Sequence, residues 1–163
     1  MPAAPPPALP PSNPQPEPPP APAGPTGWAG THAGDWATWE VGAAGSDSVT
    51  RLTWRVTRVD AGRIGFTVES KTTAPDGRLL SSASSEEVHD AALDRPVDPA
   101  SIGATKSGDV TVSGARLATL VHVRRNPAGD VMVWTSDSVP FSGVVRVSGG
   151  GVQQNLVAFG RGR

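Results

Sequence analysis

Residues 131–147 read VMVWTSDSVPFSGVVRV, and their order decides the fold. An apolar run ending at Trp134 gives way to a short polar turn. A Val139-Pro140 step follows, and Gly143 leads into a second apolar run through Val144, Val145 and Val147. Proline fixes its own φ and pushes the residue before it toward extended geometry. Glycine opens backbone shapes that a side chain would block. Two β-branched runs separated by such punctuation read as neighbouring antiparallel strands.

Working outward, residues 148–151 (SGGG) make a further hairpin turn into a last strand ending Leu156, Val157, Ala158, Phe159, Gly160. On the other side, residues 126–130 (NPAGD) turn the chain out of a strand at 116–124. That strand is apolar on both faces, Leu117, Val121 and Val123 against Ala118 and Leu120, which predicts a place in the middle of a sheet. Before it stand a short strand at 109–112 and a tight turn at Ser113-Gly114. Residues 89–103 are expected to be irregular, since Pro96 and Pro99 prevent a long helix.

The clearest hairpin lies further back. Leu52, Trp54 and Val56 alternate with Arg51, Thr53 and Arg55; Asp60-Ala61-Gly62 turns the chain, and Ile64, Phe66 and Val68 alternate with Arg63, Thr67 and Glu69. Period-two alternation marks strands with one dry and one wet face. Arg58 and Val59 break the phase, as a bulge or a strand exit would. Ala74-Pro75-Asp76-Gly77 is a turn, and the serine-rich 79–88 reads as an edge strand. A first strand, 36–41, places Trp39 and Val41 on one face and Trp36 on the other. About nine strands joined by short turns predict an all-β chain: one antiparallel, meander-like curved sheet, a half-barrel or barrel, with little helix.

The chain has 163 residues, the size of one domain. Residues 1–25 are dominated by proline and predict a polyproline II spacer, leaving 28–163 as the β domain. PxxP spacings from Pro7 and Pro11 would suit a groove-binding partner, but Glu17 is the only charge there, and the spacer reading is preferred. A formal net charge of −1 gives no electrostatic footprint for nucleic acid. Cysteine is absent, which excludes disulfides, thiolate metal sites and cysteine nucleophiles. No apolar run has the length of a membrane helix. The first residues lack the basic and apolar stretches of a signal peptide, so an anchor upstream of Met1 is what a tethered domain would require.

Residues 134–145, WTSDSVPFSGVV, resemble a W-x-S-x-x-V-P-x-x-G-φ-V signature (φ an apolar residue) of small bacterial secreted proteins and lipoproteins of uncharacterised function. Gly34-Asp35-Trp36 with Trp39 is similar to the opening G-D-W-φ-x-Y of that family, with tryptophan in place of tyrosine. The run ending at Gly160 resembles its closing L-V-x-F/Y-G, and residues 110–114 its T-V-x-G hairpin. The resemblance covers most of 34–160 and none of the tail. It implies an architecture like the periplasmic lipoprotein-carrier fold, a curved antiparallel sheet with an apolar concavity. It also implies the cell envelope or periplasm as the compartment, with the cytoplasm as the alternative. Gly34, Asp35, Trp134, Val139, Pro140, Gly143 and Gly160 are the structural signature positions on this reading.

Catalytic chemistry is poorly supported. Glu86, Glu87, His89 and Asp90 lie close in sequence, but consecutive strand residues point to opposite faces and cannot converge on one ion. His32 and His122 lie in other segments. No G-x-S-x-G is present, and Ser142-Gly143 precedes a strand instead of joining strand to helix. Arg124-Arg125 reads as a solvated pair at a strand end. The expectation is a non-enzymatic protein with no cofactor and no metal. Five of the eight aromatic residues are tryptophans, and Trp36, Trp39, Trp54, Phe66, Trp134 and Phe141 fall on or beside strands. They are expected either to fill the core or to line a concave face that takes an apolar ligand. The alternative is a scaffold domain that meets another envelope protein.

Overall fold

The computed structural model describes residues 27–91, 105–125 and 127–162. The proline-rich segment, the irregular stretch expected beyond Ala91 and the turn residue Asn126 lie outside them. Among the described residues a single 3-10 turn, Gly27–Gly30, is followed by nine strands: β1 (Trp36–Ala43), β2 (Val49–Asp60), β3 (Arg63–Thr73), β4 (Leu79–Asp90), β5 (Thr105–Val112), β6 (Ala115–Arg124), β7 (Val131–Thr135), β8 (Val144–Gly149) and β9 (Val152–Gly160). Every pairing is antiparallel, in the order β4-β3-β2-β1-β9-β8-β7-β6-β5. Two meanders are thus joined where the first strand pairs with the last.

The sheet has two edges, β4 and β5, so it is not a closed barrel. It is nevertheless strongly curled. Ser113, in the β5–β6 turn, donates its hydroxyl to the Val157 carbonyl on β9 at 2.6 Å. In a flat sheet, strands four places apart would lie about 19 Å from each other, at about 4.8 Å per step.

Local chemistry accounts for most of the elements. Ala61 and Gly62 both have positive φ, 45° and 83°, the hairpin turn whose twist matches its strands. The β2–β3 register shifts between Val56 and Arg58, so the broken phase is a bulge and β2 runs on to Asp60. Pairing sets Trp54 opposite Val68 and Val56 opposite Phe66, which puts the apolar set of both strands on one face as their alternation requires.

Three expectations need correction. The 116–124 strand, β6, has a neighbour on each side but stands next to the edge strand β5, not in the middle. It buries residues of both alternation sets, Leu117 and Thr119 in one and His122 in the other. Its partner β5 is longer than expected and begins at Thr105, because a polar edge strand shows no alternation to read. His89 and Asp90, expected to be irregular, complete β4 by pairing with Ile64 and Arg63.

Candidate functional site

The inner face of β1–β3 presents Ala37, Trp39, Trp54, Val56, Ile64 and Phe66. Two rings from outside the strands close over it. Trp28, from the 3-10 turn, stacks on Trp54 with centroids 5.7 Å apart and tilts against Phe66 at 5.0 Å. On its other contacts it meets His89 of β4 at 4.3 Å and the edge of Phe141 at 5.2 Å. Phe141, from the β7–β8 loop, also meets Trp54 edge-on at 5.5 Å and Trp39 at 6.1 Å. Edge-to-face and offset geometries at these distances suit the ring quadrupoles. The Trp39 indole donates to the Val144 carbonyl at 2.8 Å, tying β1 to the start of β8. The Trp54 indole nitrogen is buried and has no hydrogen-bond partner among the described residues.

Four of the six aromatics singled out in the sequence, Trp39, Trp54, Phe66 and Phe141, therefore come together. Trp36 and Trp134 do not. Trp36 alternates to the opposite face, where the Arg55 guanidinium lies 5.9 Å from its ring centroid. Trp134 shares a register row with Arg146, Asn155 and Glu40, opposite to the face of Trp39, and Arg146 covers its ring at 5.5 Å. Trp28, which opens the β domain, joins the four although the sequence does not single it out as part of the aromatic set. It sits among Gly and Ala before the first strand, where no periodicity marks a residue as internal.

The signature positions other than Trp134 converge on a polar knot beside this cluster. The β7–β8 loop folds on itself: Ser136 N–H donates to Gly143 O at 2.8 Å, and Gly143 N–H to Pro140 O at 3.3 Å. Gly143 has φ +71°, and a Cβ on it would stand 2.7 Å from the Ser136 carbonyl oxygen. Phe141 itself has φ +64°, uncommon for a bulky side chain. The buried Thr31 hydroxyl accepts its N–H at 3.3 Å, and the ring is 2% exposed. Val139 and Pro140 are buried with it. Asp35, fully buried, accepts from His32 N–H at 2.9 Å, Gly162 N–H at 2.6 Å and Arg161 Nη1 at 3.0 Å. Arg161 also donates to the carbonyls of Gly30 and Asp137, each at 3.1 Å. Gly34 packs on Gly162, and Gly160 lets the Trp36 indole lie against the backbone of β9. The start of the domain, the β7–β8 loop and the end of the chain are locked at one point.

Space around these groups is limited. A polar cavity of about 30 Å³ lies among Gly30, Thr31, Ser136, Phe141 and Arg161, room for about one water. An open cleft of about 420 Å³ runs between the β1–β2 and β8–β9 turns, lined by Ala44, Ser46, Ser48, Ser148 and Gln153 among others. None of the predicted aromatics borders it.

Glu86, Glu87, His89 and Asp90 follow one another along β4 and alternate between faces. Among the described residues no group of three or more histidine, aspartate or glutamate side chains could hold a metal ion. His32 is exposed. His122 is buried between β5 and β7, with Nε2 at 3.2 Å from the Thr135 hydroxyl and Nδ1 without a partner among the described residues. Burial, with the nearby Arg124 charge, lowers its pKa below the usual 6.5. Ser142 is exposed, and Arg124 and Arg125 are exposed where β6 ends. No helix of the described residues is long and apolar enough to cross a membrane. No family model matches the chain, and no curated protein matches it.

Proposed function

We propose that the chain is a non-enzymatic, structural domain of the cell envelope, held on a proline-rich spacer and acting by contact with protein. The observation that carries this reading is the occupation of the sheet's inner face by Trp28 and Phe141. An acyl carrier needs an apolar hollow at that position, and the protein's own rings stand there. Among the described residues the three most exposed large apolar side chains, Leu79, Leu80 and Val88, lie instead on the edge strand β4. The likeness of residues 134–145 to a signature of secreted proteins supports the compartment.

Tryptophan emission provides the test, because three of the five indoles, Trp28, Trp39 and Trp54, stand together at this face. The full chain, titrated with palmitate and with phosphatidylglycerol vesicles, is expected to show no saturable change. A saturable shift weakened by Trp54→Phe, with the fold intact, would overturn the scaffold reading in favour of apolar-ligand carriage. Recovery of the native protein from the cytosolic fraction would overturn the compartment alone.

A further inference from the structure

We propose that β4 is a self-complementary edge, through which two copies of this chain pair antiparallel about a twofold axis at Ser84.

The strand is unusual for an edge. Among the described residues its only strand neighbour is β3, and every residue from Leu79 to Val88 is exposed. The three most exposed large apolar side chains among the described residues are all on it: Leu79 at 56%, Leu80 at 51% and Val88 at 51%. Natural edges are usually kept short or blunted by lysine, proline or a bulge. The β4 sequence, LLSSASSEEVHD, holds no lysine, arginine or proline, and its ladder with β3 is unbroken from Ser81 to Asp90. The opposite edge, β5, has eight residues against twelve and carries a glycine, Gly108, in its interior. A long edge with no second strand beside it among the described residues is a template for another strand.

The side chains say which strand fits. With the axis at Ser84, antiparallel pairing sets Ser84 against its own copy, Ser82 against Glu86 and Ser81 against Glu87. Leu80 then meets Val88, and Leu79 meets His89. Each pair occurs twice, as an isologous contact demands. Val88 alternates to the same face as Ser82, Ser84 and Glu86, and the copy's Leu80, at the register shift that begins β4, stands opposite it, so exposed apolar groups meet at both ends of the pairing. Glu86 and Glu87 each meet a serine hydroxyl that can donate to them, and neither meets another carboxylate. Sliding the axis to residue 86 would set Glu86 against Glu86, a like-charge pair that disfavours that register. The product is one continuous sheet across two copies. This names one partner for the scaffold reading. Its test fails separately, since a monomer would leave the lipid titration unchanged.

Sedimentation velocity of the full chain over a concentration series, with the melting temperature followed in parallel, tests the pairing. The unmodified protein is expected to approach twice its 16.7 kDa mass as concentration rises. Because Ser84 lies opposite itself, Ser84→Lys and Ser84→Glu should each be a folded monomer whose melting no longer depends on concentration, and an equimolar mixture should recover the dimer. The chain has no cysteine, so Ser84→Cys should oxidise to a disulfide-linked dimer, whereas Thr111→Cys on β5 should not. A monomer at every concentration overturns the proposal. So does a dimer that both Ser84 charge variants leave intact, or a mixture that stays monomeric.

Discussion

Asp35 and Arg161 stand 126 positions apart in the chain and meet at 3.0 Å, Oδ2 to Nη1, with the carboxylate fully buried and the guanidinium at the rim. One carboxylate thereby gathers the turn before β1, the backbone after β9 and, through Arg161, the β7–β8 loop. A charge buried this deeply is tolerated only with its donors in place. The contact is a closure of the fold, since it holds the two ends of the domain where β1 and β9 pair.

Removing Arg161 strips Asp35 of its charged partner, and removing Asp35 orphans two backbone N–H groups. Arg161→Ala and Asp35→Ala are each expected to cost about 2–4 kcal/mol, in the range found when one member of a buried pair is deleted. The double variant should cost clearly less than the sum, because both changes remove the same contact. Urea midpoints give all three values, and simple additivity would show that the pair is not coupled.

Gly143 is fixed by two constraints at once, its positive φ and the Ser136 carbonyl 2.7 Å from where a Cβ would stand. Gly143→Val should destabilise by about 1–3 kcal/mol or more, since a β-branched residue is strained there and backbone cannot step aside cheaply. An unchanged denaturant midpoint would mean that the loop rearranges freely.

The hairpin β2–β3 was legible because one face of each strand is wet, so composition alternates with the pleat. The serines and glutamates of β4 announced an edge for a different reason: a strand exposed on both faces can be polar throughout. Beyond those strands the signal fades. β6 buries side chains from both faces next to an edge, and an apolar run of that kind reads as a middle strand whichever place it takes. The signature residues Gly34, Asp35, Pro140, Gly143 and Gly160 could be named from their pattern, yet not the partner that unites them. Arg161 lies in a short polar ending with no periodicity, and its contacts are set by long-range closure. Trp28 was hidden likewise, since a single residue before the first strand has no face until the sheet curls toward it.

The two faces of the sheet predict a contrast between aromatic substitutions. Phe141→Ala empties a site at the meeting of four other rings and should cost about 3–5 kcal/mol, as deletion of a buried phenyl does. Trp36→Ala removes a half-buried ring whose main partner is Arg55, and should cost about 1 kcal/mol. Thermal or urea denaturation separates the two. Equal losses would show that the outer face contributes to the core as much as the inner one.

His122 gives the domain a pH dependence whose sign follows from its surroundings. Burial opposes the charged imidazole first, and the positive Arg124 adds to it, so the folded state holds this group below its ordinary 6.5. In the unfolded chain the same side chain protonates near 6.5. As pH falls through that value the unfolded state binds a proton that the folded state refuses, and stability declines until the lower folded pKa is passed. Above 6.5 both states are neutral and the full contribution is present. Melting temperatures between pH 7.5 and 5 should therefore fall for the unmodified protein. His122→Leu removes the titrating ring and the orphaned Nδ1 together, and its melting temperature should fall less over the same interval. Parallel declines in the two proteins would assign the acid sensitivity to other groups and leave His122 as a neutral packing residue.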